Sequence, residues 1–139
     1  MKLVIQRVKD ACVMAEGEET GRIGPGFLVL VGIMEGDTED LCGYLAEKTA
    51  NLRVFTDEDD KLNRSLKDVG GAVLAVSNFT LGGDCKKGHR PSFIRSAKQP
   101  LAEELYELYM EKLREQGIRV ESGRFGAHME IRMTASGPI

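Results

Sequence analysis

At 139 residues with a formal net charge of -3, the chain is long enough for one globular domain with its own core and too ordinary in composition for a disordered, collagen-like or coiled-coil protein. Its acidic balance argues against a non-specific grip on nucleic acid, although it leaves room for a local basic face. The longest apolar stretch, Phe27 to Met34, is far too short for a membrane span, and "MKLVIQRVKD" turns polar before the hydrophobic region of a secretory signal can develop.

The first third alternates with period two. In "KLVIQRV", Leu3, Ile5 and Arg7 lie on one side and Val4, Gln6 and Val8 on the other, and "ACVMA" resumes the pattern after "KD". "EGEETGRIGPG" reads as a turn-rich connection holding a short strand, and the run from Phe27 reads as a buried strand, so antiparallel pairing through short loops is expected. A helix is predicted after "GDTED", capped by Asp37 or Thr38, with Leu41, Tyr44, Leu45 and Leu52 as its apolar stripe. "NLRVF" reads as a strand, "TDEDDKLNRSLKDVGG" as polar turns, and "AVLAVSNFTL" as the most strand-like central segment. A second helix starts near Pro100, with Leu101, Leu105, Leu108, Tyr109 and Leu113 at helical spacing and Gly117 at its end. "IRVES" and "HMEIRMT" complete the strands. The expectation is one α+β domain over residues 1–139: a mainly antiparallel, barrel-like sheet with two helices.

The familiar catalytic signatures are missing: there is no G-x-S-x-G, no P-loop and no H-E-x-x-H, and the two histidines, His89 and His128, have no triad-like spacing. Cys12, Cys42 and Cys85 are an odd number at wide spacings without C-x-x-C. Neither a disulfide framework nor a zinc site is expected, and a reduced, cytoplasmic setting without metal or cofactor is the simplest reading.

Three segments invite chemistry. "CKKGHRPSFIRSAKQ" brings Lys86, Lys87, Arg90 and Arg95 together with no acidic residue between Asp84 and Glu103; it is either a solvated loop or a phosphate-binding face. "SNFTL" ends a buried strand in Ser77, Asn78 and Thr80. If the strand continues, Asn78 and Thr80 share one face and can floor a pocket, while the plainer reading has these side chains satisfying the backbone of a strand end. "SGPI" places Gly137 and Pro138 where a turn is expected.

Taken together, "MKLVIQRV", "SNFTL", "KKGHRPSF", "GRFGAHM" and "SGP" resemble, in order and approximate spacing, the D-aminoacyl-tRNA deacylases, from Met1 to Pro138. The resemblance implies hydrolysis of the ester joining a D-amino acid to the 3′ end of tRNA, together with removal of glycine mischarged on alanine tRNA. It also implies a homodimer with tRNA as substrate and no membrane association. The family's Ser-Gln-x-Thr site corresponds to Ser77, Asn78, Phe79 and Thr80. Its Gly-cis-Pro pair, which one subunit inserts into the other's site to reject L-amino acids, corresponds to Gly137 and Pro138. Arg7 corresponds to the arginine that holds that pair, and Phe125 to the aromatic residue near the terminal adenosine. An aminoacyl ester is already activated, so a site of this kind needs to orient it, stabilise the developing oxyanion and admit water; Thr80 is expected to orient rather than attack.

The sequence departs from the family at two places. Asn78 stands where glutamine is usual, and Ala135 where the tail's asparagine is expected, with the chain ending at Ile139. Those departures would support a non-catalytic RNA-binding homodimer of the same fold, whereas a trans Gly137-Pro138 bond would favour a second rival, an editing factor acting on an L-aminoacyl-tRNA.

Overall fold

The computed structural model describes residues 1–139. Its longest strand, β1 (Lys2–Ala15), runs straight through the "KD" that breaks the alternation. The interruption is absorbed as a register shift between Val8 and Asp10 opposite β8 (Met129–Ala135), an irregularity that bends a strand without ending it. Leu3 and Ile5 therefore pack under the helices, whereas Val8, Ala11 and Val13 belong to a second cluster. Along its length β1 pairs antiparallel with β3 (Gly26–Gly32), β2 (Glu18–Ile23) and β8.

The main sheet runs β2-β1-β3-β6-β7, with β6 at Ala72–Ser77 and β7 at Arg119–Ser122. Its ends approach each other: the Arg119 guanidinium donates to the Arg22 carbonyl at 3.3 Å, and a Cβ on Gly21 would lie 2.8 Å from the Ser122 carbonyl oxygen. The sheet is thus nearly closed and barrel-like, as expected. Antiparallel pairing predominates, as expected, through β1 with β2, β3 and β8, and the sheet is mixed because β3–β6 and β6–β7 are parallel pairs. Each parallel step is crossed by a helix, α1 (Glu39–Asn51) and α3 (Leu101–Glu115). The unbroken apolar runs at Phe27–Val31 and Ala72–Val76 have the same cause, since strands covered on both faces have no polar side to show. Phe27, Val29, Val31, Val73 and Ala75 face the helices; Leu28, Leu74 and Val76 fill the interior with Val8, Val13 and Ile23.

Helix α1 buries only part of the stripe expected of it, with Leu45 packed half-buried against the core. Leu41 and Tyr44 are exposed, and the buried face is Cys42, Ala46, Thr49 and Ala50. Small residues are required there because α3 approaches closely: Cys42 Sγ lies 3.3 Å from the Leu105 carbonyl oxygen and Thr49 Oγ1 lies 2.9 Å from the Tyr109 hydroxyl. Thr38 occupies the N-cap without a side-chain bond, while Asp37 instead accepts from the Met34 N–H at 2.7 Å. Helix α3 buries Leu105, Tyr109 and Leu113 as predicted, with Ala102, Tyr106 and Met110 added. No helix is long and apolar enough to cross a membrane.

"NLRVF" contributes only the two-residue β4 (Phe55–Thr56), which pairs with β5 (Leu62–Arg64). The following segment holds a third helix, the single turn α2 (Leu66–Val69), which the polar composition concealed. Ser65 and Asp68 close it as a reciprocal capping box. The Ser65 backbone N–H, and then its hydroxyl, hold the Asp68 carboxyl below the usual carboxylate range. A depressed folded-state pKa adds stability that is present above the unfolded pKa of about 4 and lost as pH falls through the folded value. Thermal melts from neutral pH down to about pH 2 should therefore decline less steeply for Asp68→Asn than for the unsubstituted chain. Identical acid limbs would assign the box no share in acid sensitivity.

Candidate active site

Strand β6 stops at Ser77, earlier than its apolar run suggested. Asn78 leaves the ladder, its N–H donating to the Val31 carbonyl at 2.8 Å, and Phe79–Gly82 forms a 3-10 turn. The expected alternation of Asn78 and Thr80 on one strand face is therefore corrected. The cause is local: Asn78 Oδ1 accepts from the Thr80 backbone N–H at 3.1 Å and also from the Thr80 hydroxyl. A short amide acting as a cap competes successfully with strand extension. The two side chains still meet, through a turn instead of a pleat.

The turn is fixed from behind. Ser96, buried, donates its hydroxyl to the Phe79 carbonyl at 2.6 Å. The space beneath is so tight that a Cβ on Gly82 would lie 2.2 Å from Ser96 Oγ. The Phe79 ring is exposed and meets Phe93 edge-on, with centroids 5.2 Å apart and planes at 78°.

In front of the turn lies a cavity of about 530 Å³. The ends of β3 and β6 supply its floor with Leu30, Val31 and Val76; Ser77, Asn78, Phe79 and Thr80 form one wall; Phe125 to Met129 and Ile131 form another. Phe125 is set by the tilted ring of Tyr106 at 5.8 Å, whose hydroxyl is itself anchored on the Ala75 carbonyl at 2.8 Å. Burial pushes the Tyr106 phenol far above its ordinary range, so it stays protonated and structural.

Chemically the cavity is apolar with hydroxyl and amide groups. No carboxylate or amine lines it, and His128, exposed at the rim, is the single ionisable side chain on its walls. No cluster of histidine, cysteine, aspartate and glutamate side chains capable of holding a metal occurs in the chain. Such a site can orient and desolvate a ligand and offer hydrogen bonds, but it contains no assembled base and nucleophile pair.

Five of the expected site residues, Ser77, Asn78, Phe79, Thr80 and Phe125, thus share one cavity. The others lie outside it. Lys86, Lys87 and Arg90 are exposed on a loop closed by reciprocal backbone bonds between Asp84 and Ser92 (2.8 and 2.9 Å), with Arg95 exposed just beyond it. None of these four cations is paired with a carboxylate. The loop leaves directly from the Thr80 turn. Gly137 and Pro138, joined by a cis peptide bond, are exposed and absent from the cavity wall. Arg7 clasps the tail they belong to: its N–H donates to the Ile139 carbonyl at 2.9 Å and its Nε to the Ser136 carbonyl at 3.2 Å, while Nη1 reaches the Val54 carbonyl at 2.8 Å. Gln99 was missed. It lines the cavity while its amide donates to Glu103 at 2.8 Å; the one cue in the sequence was an X-Pro step just before a helix.

Comparison with known proteins gives this site a context. The model of the family described as D-Tyr-tRNA(Tyr) deacylase matches residues 4–139. Proteins named D-aminoacyl-tRNA deacylase from Thermus aquaticus and Bacillus velezensis are 58% and 55% identical over all 139 residues, covering 91% and 95% of those proteins. Among solved structures, one titled c-Myc DNA Unwinding Element Binding Protein superposes with a TM-score of 0.92 at 38% identity, over 100% of this chain and 95% of that one. A probable eukaryotic D-amino acid tRNA deacylase shares the fold at a TM-score of 0.83 and 18% identity, over 98% and 94% of the two chains. Fold, uncharged pocket and relatives together define an enzyme class, the hydrolases of aminoacyl-tRNA esters. Within that class the chain belongs to the D-Tyr-tRNA(Tyr) deacylase family.

Proposed function

We propose that this protein hydrolyses the ester of D-aminoacyl-tRNA in the cytoplasm, releasing the free D-amino acid and tRNA, and likewise removes glycine mischarged on alanine tRNA. The observation that carries the reading is the cavity wall itself: Ser77, Asn78 and Thr80 on one side and Phe125 on the other, with no charged group on the floor. An activated ester needs orientation and a dry, hydrogen-bonding surface more than it needs a strong base. Phe125 offers a face for the terminal adenine, and Phe79 a second aromatic surface at the rim. Lys86, Lys87, Arg90 and Arg95, unpaired and close to the Thr80 turn, suit the phosphates of the acceptor stem.

The enzyme works as a homodimer in this reading, with Gly137 and Pro138 of one protomer entering the partner's cavity. Two facts support it: the pair is exposed and lies outside its own chain's cavity, and Arg7 bonds the residues on either side of it, Ser136 and Ile139. Backbone carbonyls brought in by that pair take the substrate's ammonium and leave no volume for an L side chain, so selectivity comes from exclusion.

A second reading is favoured by one observation. The structural neighbour at 38% identity is titled as a DNA-unwinding-element binding protein, and the unpaired basic loop would serve nucleic-acid binding without catalysis. One assay separates the two. Purified protein at catalytic amounts is expected to hydrolyse D-Tyr-tRNA and Gly-tRNA(Ala) and to spare L-Tyr-tRNA. Tight tRNA or DNA binding with all three esters intact would overturn the enzyme reading in favour of the second, and cleavage of L-Tyr-tRNA would make it an editing factor without chiral exclusion.

A further inference from the structure

Two hydrogen bonds at Asn78 determine what Thr80 presents to the cavity. The first assigns the amide: the Thr80 backbone N–H lies 3.1 Å from the atom it contacts, and a donor can only face the oxygen, so Oδ1 points to Thr80 and Nδ2 away from it. The second assigns a proton. The Thr80 hydroxyl contacts the same Oδ1, which has no hydrogen to give, so Thr80 must be the donor. The hydroxyl has one proton and it is directed at Asn78. Toward the cavity Thr80 therefore shows only lone pairs.

We propose that Asn78 is a positioning residue that locks Thr80 as a hydrogen-bond acceptor, and that the group Thr80 takes is the attacking water. This deepens the deacylase reading and rests on it. Held this way, the hydroxyl does not donate to the oxyanion, and its proton faces an amide oxygen and not a base: His128, the one ionisable side chain on the cavity wall, makes no hydrogen bond to Thr80. It accepts one O–H of a water molecule and so turns that water's lone pair toward the ester carbon. Thr80 keeps its own proton throughout. The water oxygen bonds to the carbonyl carbon, the bond from that carbon to the ribose oxygen breaks, and a water proton ends on the departing hydroxyl. Asparagine suits this task in a way that the longer glutamine does not, because its oxygen closes a turn with both the N–H and the O–H of the residue two positions on. Asn78 Nδ2 donates to no protein group and remains available at the same wall.

The test is a double-mutant cycle on D-Tyr-tRNA, with Asn78→Ala and Thr80→Val made singly and together and Asn78→Asp as the conservative replacement. Each single change is expected to lower kcat by about a hundredfold with KM little altered. If Asn78 acts through Thr80, the pair together loses about the same hundredfold rather than the product of the two. Asn78→Asp keeps both acceptor bonds, so its loss should stay within about tenfold at neutral pH. Its kcat should also acquire an acidic limb, falling as the introduced carboxyl gains a proton and can itself donate to Thr80. Multiplicative losses in the cycle, or an aspartate variant as impaired as the alanine one, would overturn the lock and leave Nδ2 as the working group. Should Asn78→Ala fail to fold, Thr80→Val and Asn78→Asp still decide the matter, the first by its loss of kcat and the second by its pH profile. A parent protein inactive on every ester would instead refute the deacylase reading and the inference with it.

Discussion

Gly26→Ala is expected to cost about 3 kcal/mol or more of unfolding free energy, a large share of the stability of a domain this size. Gly26 opens β3 with φ +155°, a conformation that side chains other than glycine rarely adopt. A Cβ there would lie 1.9 Å from the Ala72 carbonyl oxygen and 2.7 Å from its nitrogen. Both obstacles are backbone, so no rotamer change relieves them. Ala72 begins β6 and is the register partner of Gly26, so the two parallel strands must separate at their common origin. Strand β6 ends in Ser77, and a displaced β6 carries the Thr80 turn with it. Gly24, two residues earlier, is the control: a Cβ there would meet no atom within 4 Å, and its φ lies outside the left-handed region. Its alanine variant should stay within about 0.5 kcal/mol of the parent. Urea unfolding of the two variants side by side makes the comparison. Equal midpoints would mean that β3 and β6 can part without cost.

Gly137→Ala should have the opposite profile, with folding intact and activity lost. The position has φ +116°, and a Cβ would meet Ile139 at 2.6 and 2.9 Å and the Arg7 guanidinium at 3.2 Å. Gly137 is exposed and belongs to neither buried cluster, so the strain is released by moving the tail and not by unfolding the barrel. If the tail completes the partner's site, kcat/KM on D-Tyr-tRNA falls by about a hundredfold, the scale of an ångström-sized misplacement, while the urea midpoint is unchanged. Retention of full activity and full discrimination by this variant would remove Gly137 and Pro138 from the site and leave the cavity to act alone.

The arrangement of the chain into strands and helices was legible where one physical pattern dominated. Alternation in "KLVIQRV", the apolar spacing of α3 and the glycine after it all marked real elements. Two failures share a cause, namely contacts with distant segments. Leu41 and Tyr44 looked like a buried stripe because they are large and apolar, but α3 comes so close to α1 that only Cys42, Ala46, Thr49 and Ala50 fit between them. Parallel pairing of β3 with β6 was hidden for the same reason, although the unbroken apolar runs carried its signature.

For the site, the identity of Ser77, Asn78, Thr80 and Phe125 as a group came from sequence, through motifs whose order and spacing resemble a family. Motif order cannot say how such side chains meet. Only the folded chain turns Asn78 back on Thr80, brings Phe125 across the cavity from 45 positions away in sequence, and puts Gln99 and His128 on the wall while leaving Lys86 and Arg90 outside it. Chemistry was already written in the order of residues: an uncharged hydroxyl and amide segment, a basic loop and a Gly-Pro tail. Direction had to wait for the folded chain, because a hydrogen bond has a donor and an acceptor, and which end Thr80 shows to the cavity depends on where the Asn78 oxygen comes to rest.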